Sequence, residues 1–192
     1  MPQASVTMTE AEYLEFERAS EIKHKFFAGE VLAMTGASEA HNPICVNVIT
    51  ILKNQLRGQP CKIYPSDMRV KVEATGLYTY PDITVVCGDA QFADTELDTL
   101  INPLVIIEVL SPSTERYDRG RKFQQYRVLP SLREYVLVAQ DYSRIEHYRL
   151  QETGTWQLTD AKGLEAGLEL PSIGCTLALA EVYEQVALSE DG

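Results

Sequence analysis

The sequence lacks the features of several protein classes. It has no run of eighteen apolar residues, and its first residues have neither a basic flank nor an apolar core. We therefore expect no transmembrane helix, no signal peptide and no membrane partner. It also lacks internal repeats, low-complexity blocks and linkers rich in proline and glycine. This absence predicts that residues 1–192 form a single domain.

Cysteine is scarce, and the four cysteines, Cys45, Cys61, Cys87 and Cys175, form no CxxC pair. For this reason we do not expect a zinc site. Cys45 and Cys87 have apolar neighbours in the sequence and are predicted to be buried thiols. This use of cysteine predicts a reducing, cytoplasmic location.

Positive charge is also scarce. The chain has 17 Lys and Arg against 28 Asp and Glu, a net charge of −11. This balance excludes a broad basic surface for non-specific nucleic-acid binding, although it allows a local basic groove or a metal that offsets carboxylates. The exception is the segment 116–133, in which Asp118 is the one acid among six basic residues.

Hydrophobic periodicity predicts helices and strands in mixed order. A capping box at Thr9 opens a helix through about residue 18, and residues 25–34 are predicted to be a hairpin. A long amphipathic helix is expected to begin with Asn42 as N-cap and Pro43 as the first helical residue. Ser113 or Thr114 is expected to cap a second helix, through about residue 129. The predicted strands are 62–73, 78–87, 104–110, 134–139, 144–150 and 155–159. Within the second of these, Pro81 marks an edge, a bulge or the start of a new strand. The fold class is thus α/β (α+β), a mixed central β-sheet flanked by α-helices.

Two acidic residues stand in apolar strands. Glu108 lies in the segment VIIEVL, and Asp82 follows Pro81 at the start of ITVV. Each has an ordinary explanation: a strand-end glutamate that reaches solvent or pairs with an arginine, and a turn aspartate after proline. If the strands are neighbours, however, both carboxylates face one pocket and suit a hard divalent cation, Mg²⁺ or Mn²⁺.

Lys122 is the third candidate. In a helix it shares a face with Tyr126, four residues later. An ammonium beside a bound metal could orient water or stabilise a phosphorane-like transition state. The alternative is a solvated surface lysine.

The segments YPDITVV, PLVIIEVLSPST, YDRGRKFQQY and PSLREYVLV resemble the Uma-two family of proposed restriction endonucleases, within the PD-(D/E)xK nuclease-like superfamily. The resemblance covers residues 9 to about 186. It implies a restriction-endonuclease-like fold, with Asp82 and Glu108 as metal ligands and the carbonyl of Val109 completing the metal shell. The superfamily lysine would stand two residues after Glu108, where this sequence has Leu110, so Lys122 is the expected substitute.

The resemblance also implies further site residues and a substrate. Glu30, His41 and Tyr126 are additional candidates. The alternative interpretations are that Glu30 is a solvated turn residue, that His41 is a loop residue hydrogen-bonded to the helix end, and that Tyr126 only packs. The implied activity is a Mg²⁺- or Mn²⁺-dependent endonuclease that hydrolyses DNA phosphodiesters and acts as a homodimer. The alternatives are a catalytically degenerate protein on the same scaffold that binds DNA or protein, and a structural or regulatory homodimer. The expected DNA-binding residues are Arg116, Arg119, Arg121 and Arg127.

Overall fold

Helices occupy a small part of the chain. The structure is a computed structural model that describes residues 7–34, 36–112 and 114–189. Within those ranges, no helix combines the length and the apolar character needed to cross a membrane. The helices are α1 (Glu10–Ala19), α2 (His41–Gln55), α3 (Glu115–Tyr117), α4 (Phe123–Tyr126) and α5 (Leu179–Val182), with a π-helical turn (Asp118–Lys122) between α3 and α4.

Two sheets and a separate hairpin contain the strands. The strands are β1 (His24–Phe27), β2 (Glu30–Ala33), β3 (Cys61–Pro65), β4 (Arg69–Val72), β5 (Leu77–Thr79), β6 (Ile83–Cys87), β7 (Thr99–Leu100), β8 (Val105–Val109), β9 (Glu134–Val138), β10 (Arg144–Leu150), β11 (Trp156–Lys162), β12 (Gly167–Leu170) and β13 (Cys175–Ala178).

The first sheet has the strand order β2-β1-β5-β4-β7, and the second has the order β11-β10-β9-β8-β6-β3. The second sheet is mixed, because β8 pairs antiparallel with β6 and parallel with β9. Strands β12 and β13 form the separate hairpin. The predicted fold class, a mixed sheet flanked by helices, is confirmed.

Pro81 separates two strands that belong to different sheets. The predicted strand 78–87 is in fact β5, in the first sheet, followed by β6, in the second. Of the three alternatives left open for Pro81, the new start is the one found, since proline cannot donate a ladder hydrogen bond. The predicted strand 62–73 divides in the same way, into β3 and β4. Residues 80–82 therefore connect the two sheets.

Helix α2 packs on the second sheet. Its residues Ile44, Val48 and Leu52 are fully buried in one core cluster with Ile83 of β6 and Ile107 of β8. The spacing of three and four residues places them on one helical face, as predicted.

The start of α2 differs from the prediction. The helix begins at His41, and Ala40 is the N-cap. Ser38 supplies the cap instead: its Oγ accepts a hydrogen bond from the His41 amide at 3.2 Å, and its carbonyl accepts one from Asn42 Nδ2 at 2.8 Å. The expectation that Asn42 is the N-cap is therefore wrong, because a preceding serine already satisfies the free amide.

The second predicted helix is shorter and irregular. It ends at Tyr126 and contains the π-helical turn, in which Gly120 weakens the α-helical preference. Thr114 is at the N-cap position and makes no capping hydrogen bond with its side chain. Ser113, the other expected cap, lies outside the described residues.

The structure corrects the two cysteine predictions. Cys87 is joined to Cys61 by a disulfide, since the antiparallel register of β3 and β6 places the two residues opposite each other. The prediction that Cys87 is a buried thiol is therefore wrong. Cys45 is a free thiol, as predicted, but it is half-buried and lies in the first turns of α2.

Candidate functional site

Asp82, just before the start of β6, and Glu108, near the end of β8, come together where these two antiparallel strands meet. These strands pair antiparallel with Ile83 opposite Ile107, and one further step of that register places Asp82 opposite Glu108. Residues opposite each other in an antiparallel pair have side chains on the same face. The backbone amide of Val109 donates a hydrogen bond to Asp82 Oδ2 at 2.8 Å, which fixes the aspartate against β8.

His41, at the start of α2, is the second partner of Asp82. Its Nε2 lies 3.1 Å from Asp82 Oδ2. Burial alone would raise the pKa of Asp82, but the contact with His41, the charge of Lys122 and the Val109 amide together lower it. The aspartate is therefore held as an anion, which is the form that binds a cation.

Cys45 lies beside the same histidine. Its Sγ is 3.6 Å from His41 Nδ1, because the two residues are one helical turn apart on α2. The metal-binding atoms of His41, Cys45 and Asp82 all lie within 4.8 Å of one another. Burial, together with the nearby carboxylates of Asp82 and Glu108, raises the pKa of the Cys45 thiol.

Lys122 is buried against Glu108. Lys122 Nζ lies 2.8 Å from Glu108 Oε1 and 3.2 Å from Asp118 Oδ1, and the hydroxyl of Tyr126 donates to Glu108 Oε1 at 3.1 Å. Only 7% of Lys122 and 3% of Glu108 are exposed. The reading of Lys122 as a solvated surface lysine is therefore wrong, since the π-helical turn and α4 direct it into the protein.

The charges of this group are unequal. Asp82, Glu108 and Asp118 contribute three carboxylates, and Lys122 contributes one ammonium. Burial raises the pKa of Glu108, the charges of Asp82 and Asp118 raise it further, and Lys122 opposes them. Burial would lower the pKa of Lys122, but Glu108 and Asp118 outweigh it and hold the ammonium charged. An additional cation would offset the negative charge of Asp82 and Asp118 and would favour the charged form of Glu108.

A second lysine approaches from the first sheet. Lys25 Nζ lies 4.2 Å from the centre of the Tyr117 ring, and Tyr117 is the residue before the π-helical turn. Burial lowers the pKa of Lys25, the charge of Lys122 lowers it further, and Asp118 opposes them. The hairpin β1–β2 therefore adds positive charge near the site.

The structure separates the other predicted residues from this group. Glu30 is exposed at the start of β2, in the first sheet. Arg119 lies between two acids, with Nη1 2.8 Å from Glu115 and Nε 3.2 Å from Glu146. The three other arginines that were expected to bind DNA are exposed: Arg116, Arg121 and Arg127.

Sequence reasoning did not identify Asp118 and Cys45 as members of the site. Each stands four residues from a residue that was identified: Asp118 precedes Lys122, and Cys45 follows His41. That spacing places both pairs on common helical faces. It is the signal that could have found them.

Comparison with known proteins identifies the family. The model of the Uma2 family, described as "Putative restriction endonuclease", matches residues 10–180. Two uncharacterized proteins of Synechocystis sp. (strain PCC 6803) are similar to this chain. One is 38% identical over 176 residues, which are 92% of this chain and 91% of the relative. The other is 36% identical over 162 residues, which are 84% and 92%.

A solved structure has the same fold. It is described as a "putative nuclease belonging to DUF820" from Anabaena variabilis, and it superposes with a TM-score of 0.76 at 16% identity, covering 92% of this chain and 97% of the other. The predicted restriction-endonuclease-like fold is thus confirmed. With the family model matching most of its length, the chain belongs to the Uma2 family.

Proposed function

We propose that this protein is a metal-dependent DNA endonuclease that hydrolyses phosphodiester bonds. The observation that carries the proposal is the placement of Lys122 Nζ 2.8 Å from Glu108, beside the Asp82 that the Val109 amide holds. Two acids and a lysine are the combination expected of a nuclease site. Here the lysine is Lys122, from the π-helical turn, because the position two residues after Glu108 is occupied by Leu110.

The donor set fits a hard divalent cation. Oxygen ligands from two carboxylates suit Mg²⁺ or Mn²⁺, and the carbonyl of Val109 would complete the set. Within the described part of the chain, the Val109 amide and His41 Nε2 both contact Oδ2 of Asp82. We therefore assign the other carboxylate oxygen, Oδ1, to the cation. The excess of carboxylates over ammonium groups also favours a doubly charged ion. When bound, the cation supplies a Lewis acid that neutralises phosphate charge and acidifies water.

The side chains of the protein have separate tasks in this proposal. Asp82 and Glu108 hold the cation. Lys122 keeps its ammonium within reach of the scissile phosphate, where it orients the attacking water and stabilises negative charge in the transition state. Tyr126 and Asp118 position this machinery: the tyrosine hydroxyl fixes Glu108, and Asp118 fixes Lys122.

DNA is the proposed substrate despite the net charge of −11. The exposed side chains of Arg116, Arg121 and Arg127, with Lys25 near the site, provide a local positive field on an acidic protein. Arg119 contributes less, because Glu115 and Glu146 already neutralise it. We also propose a homodimer of single-domain chains, since two sites are needed to address both strands.

The test is cleavage of supercoiled plasmid DNA with Mn²⁺ or Mg²⁺. We expect nicking by the wild type, loss of nicking in Asp82→Asn and Glu108→Gln, and a loss of roughly 100-fold or more in Lys122→Met.

Two variants serve as matched controls. Glu134→Gln changes another buried glutamate, on the neighbouring strand β9, and Lys71→Met changes a lysine that is paired with Glu10 in the first sheet. Both should cut like the wild type. Equal activity of Asp82→Asn and the wild type would refute the assigned site.

The catalytically degenerate alternative gives a different result in the same assay. In that case the wild type would bind DNA without metal-dependent cleavage.

A further inference from the structure

His41, Cys45 and Asp82 form a second group of metal ligands that overlaps the first. The three residues share one end of α2 and the loop before β6, and their ligand atoms lie within 4.8 Å of one another. The group differs chemically from the carboxylate site, because it combines an imidazole, a thiol and a single carboxylate. Such a set binds zinc in preference to magnesium.

The distances are close to those of a tetrahedral zinc site. Zinc bonds to nitrogen, oxygen and sulfur place neighbouring ligand atoms roughly 3.3–3.6 Å apart. The His41 ring already lies 3.1 Å from Asp82 and 3.6 Å from Cys45, through its two nitrogens. Only one of these nitrogens would become the ligand, so up to two of the three separations are longer than the ideal values and must close by about 1.5 Å at most. Rotation of partly buried side chains can supply that movement.

We propose that Zn²⁺ binds to His41, Cys45 and Asp82 and thereby withdraws Asp82 from the site of the hard cation. Binding at the cysteine releases the thiol proton to solvent. Water completes the fourth position, as in zinc sites with three protein ligands. Zinc is then an inhibitor of the enzyme, a role that rests on the proposed function, whereas the zinc site itself does not.

Cobalt absorption tests the site without any measurement of activity. Co²⁺ replaces Zn²⁺ in such sites and gives a thiolate-to-cobalt charge-transfer band only when a cysteine is a ligand. We expect this band in the wild type, its loss on addition of one equivalent of Zn²⁺, and its absence in Cys45→Ser. Cys175→Ser is the matched control, because Cys175 is also a free thiol but is buried among apolar residues of the core. The measurement is made without reductant, so that Cys61 and Cys87 stay paired.

Competition with Mn²⁺ tests the shared aspartate. Electron paramagnetic resonance distinguishes free from bound Mn²⁺. One equivalent of Zn²⁺ should release bound Mn²⁺ from the wild type but not from Cys45→Ser, whose Zn²⁺ affinity should fall at least tenfold. His41→Gln provides a second variant that also loses the cobalt band.

The outcomes separate the two proposals. A wild type without the charge-transfer band, or a band that survives in Cys45→Ser, overturns the zinc site. Zinc that binds with the band and leaves Mn²⁺ in place overturns the sharing of Asp82. If the band is present and no DNA is cut under any condition, the zinc site stands and the endonuclease proposal falls.

Discussion

Two buried glutamates on neighbouring strands should respond in opposite directions to the same substitution. Glu108 has a raised pKa, chiefly because of burial, so its charged form costs stability in the folded state. Glu134 has a lowered pKa: burial would raise it, but the contact with His147 Nε2 at 2.7 Å and the hydrogen bond from the Ser172 amide outweigh burial. We predict that Glu108→Gln stabilises the metal-free protein at pH 7 and that Glu134→Gln destabilises it.

The magnitude follows from the cost of keeping a carboxyl group protonated. An unfolded glutamate has a pKa of about 4.3, and each pH unit above it is worth 1.36 kcal/mol, so the cost at pH 7 is at most about 4 kcal/mol. Glutamine removes this cost but gives up the charged hydrogen bond with Lys122, worth about 1.5–3 kcal/mol. The expected net gain is about 1–2 kcal/mol. For Glu134→Gln the loss of two charge-assisted bonds predicts about 1–3 kcal/mol of destabilisation.

The pH dependence has opposite signs for the two residues. For Glu108 the folded pKa lies above the unfolded value, so wild-type stability declines as pH rises above about 4.3. For Glu134 the folded pKa lies below the unfolded value. Its contribution is present above about pH 4.3 and is lost as pH falls through the folded pKa.

Urea unfolding in EDTA, followed by the fluorescence of the single tryptophan, Trp156, measures both variants. A shift of both midpoints in the same direction at pH 7, with unchanged m-values, would refute the reasoning.

Three further changes have calculable effects on the free energy of unfolding, and urea or thermal unfolding measures each. Thr9→Ala removes a capping box in which Thr9 and Glu12 bond reciprocally, at a cost of about 1 kcal/mol; no change would show that α1 does not limit stability. Leu52→Ala opens a cavity under α2 and should cost about 2–5 kcal/mol, whereas the exposed Val46→Ala on the same helix should cost little. Replacing both Cys61 and Cys87 by serine removes a cross-link over a sequence separation of 26 residues, and we expect a loss of about 3 kcal/mol. A double variant as stable as the wild type would argue against that cross-link in solution.

Local sequence patterns located α2 and the two strand acids better than they located the sheets. The spacing of apolar residues identified α2, and the position of two acids in apolar strands singled out Asp82 and Glu108, on the condition that their strands are neighbours, as β6 and β8 are. These features depend on periodicity and on the cost of a buried charge, both of which can be read from a few residues. The placement of β3 and β4 in different sheets depends on pairing with distant strands, which no local pattern contains.

The remaining errors have similar causes. The hairpin of β12 and β13 was missed, although its strands are as long as β1 and β2, which were predicted. The disulfide between Cys61 and Cys87 follows from the β3–β6 register, which the sequence does not give. The π-helical turn was read as regular helix, although its Asp118 and Lys122 still reach the same pocket because they are four residues apart.

The short connection between β5 and β6 joins the two sheets next to the site. Asp82 belongs to this connection, and the preceding Tyr80 is anchored on the first sheet by Arg69 and on α1 by Glu17. Glu108 belongs entirely to the second sheet. The Val109 amide and His41 nevertheless hold Asp82 on the second sheet as well, so a displacement of the first sheet would be taken up at Tyr80 and Pro81 and would leave the two carboxylates together.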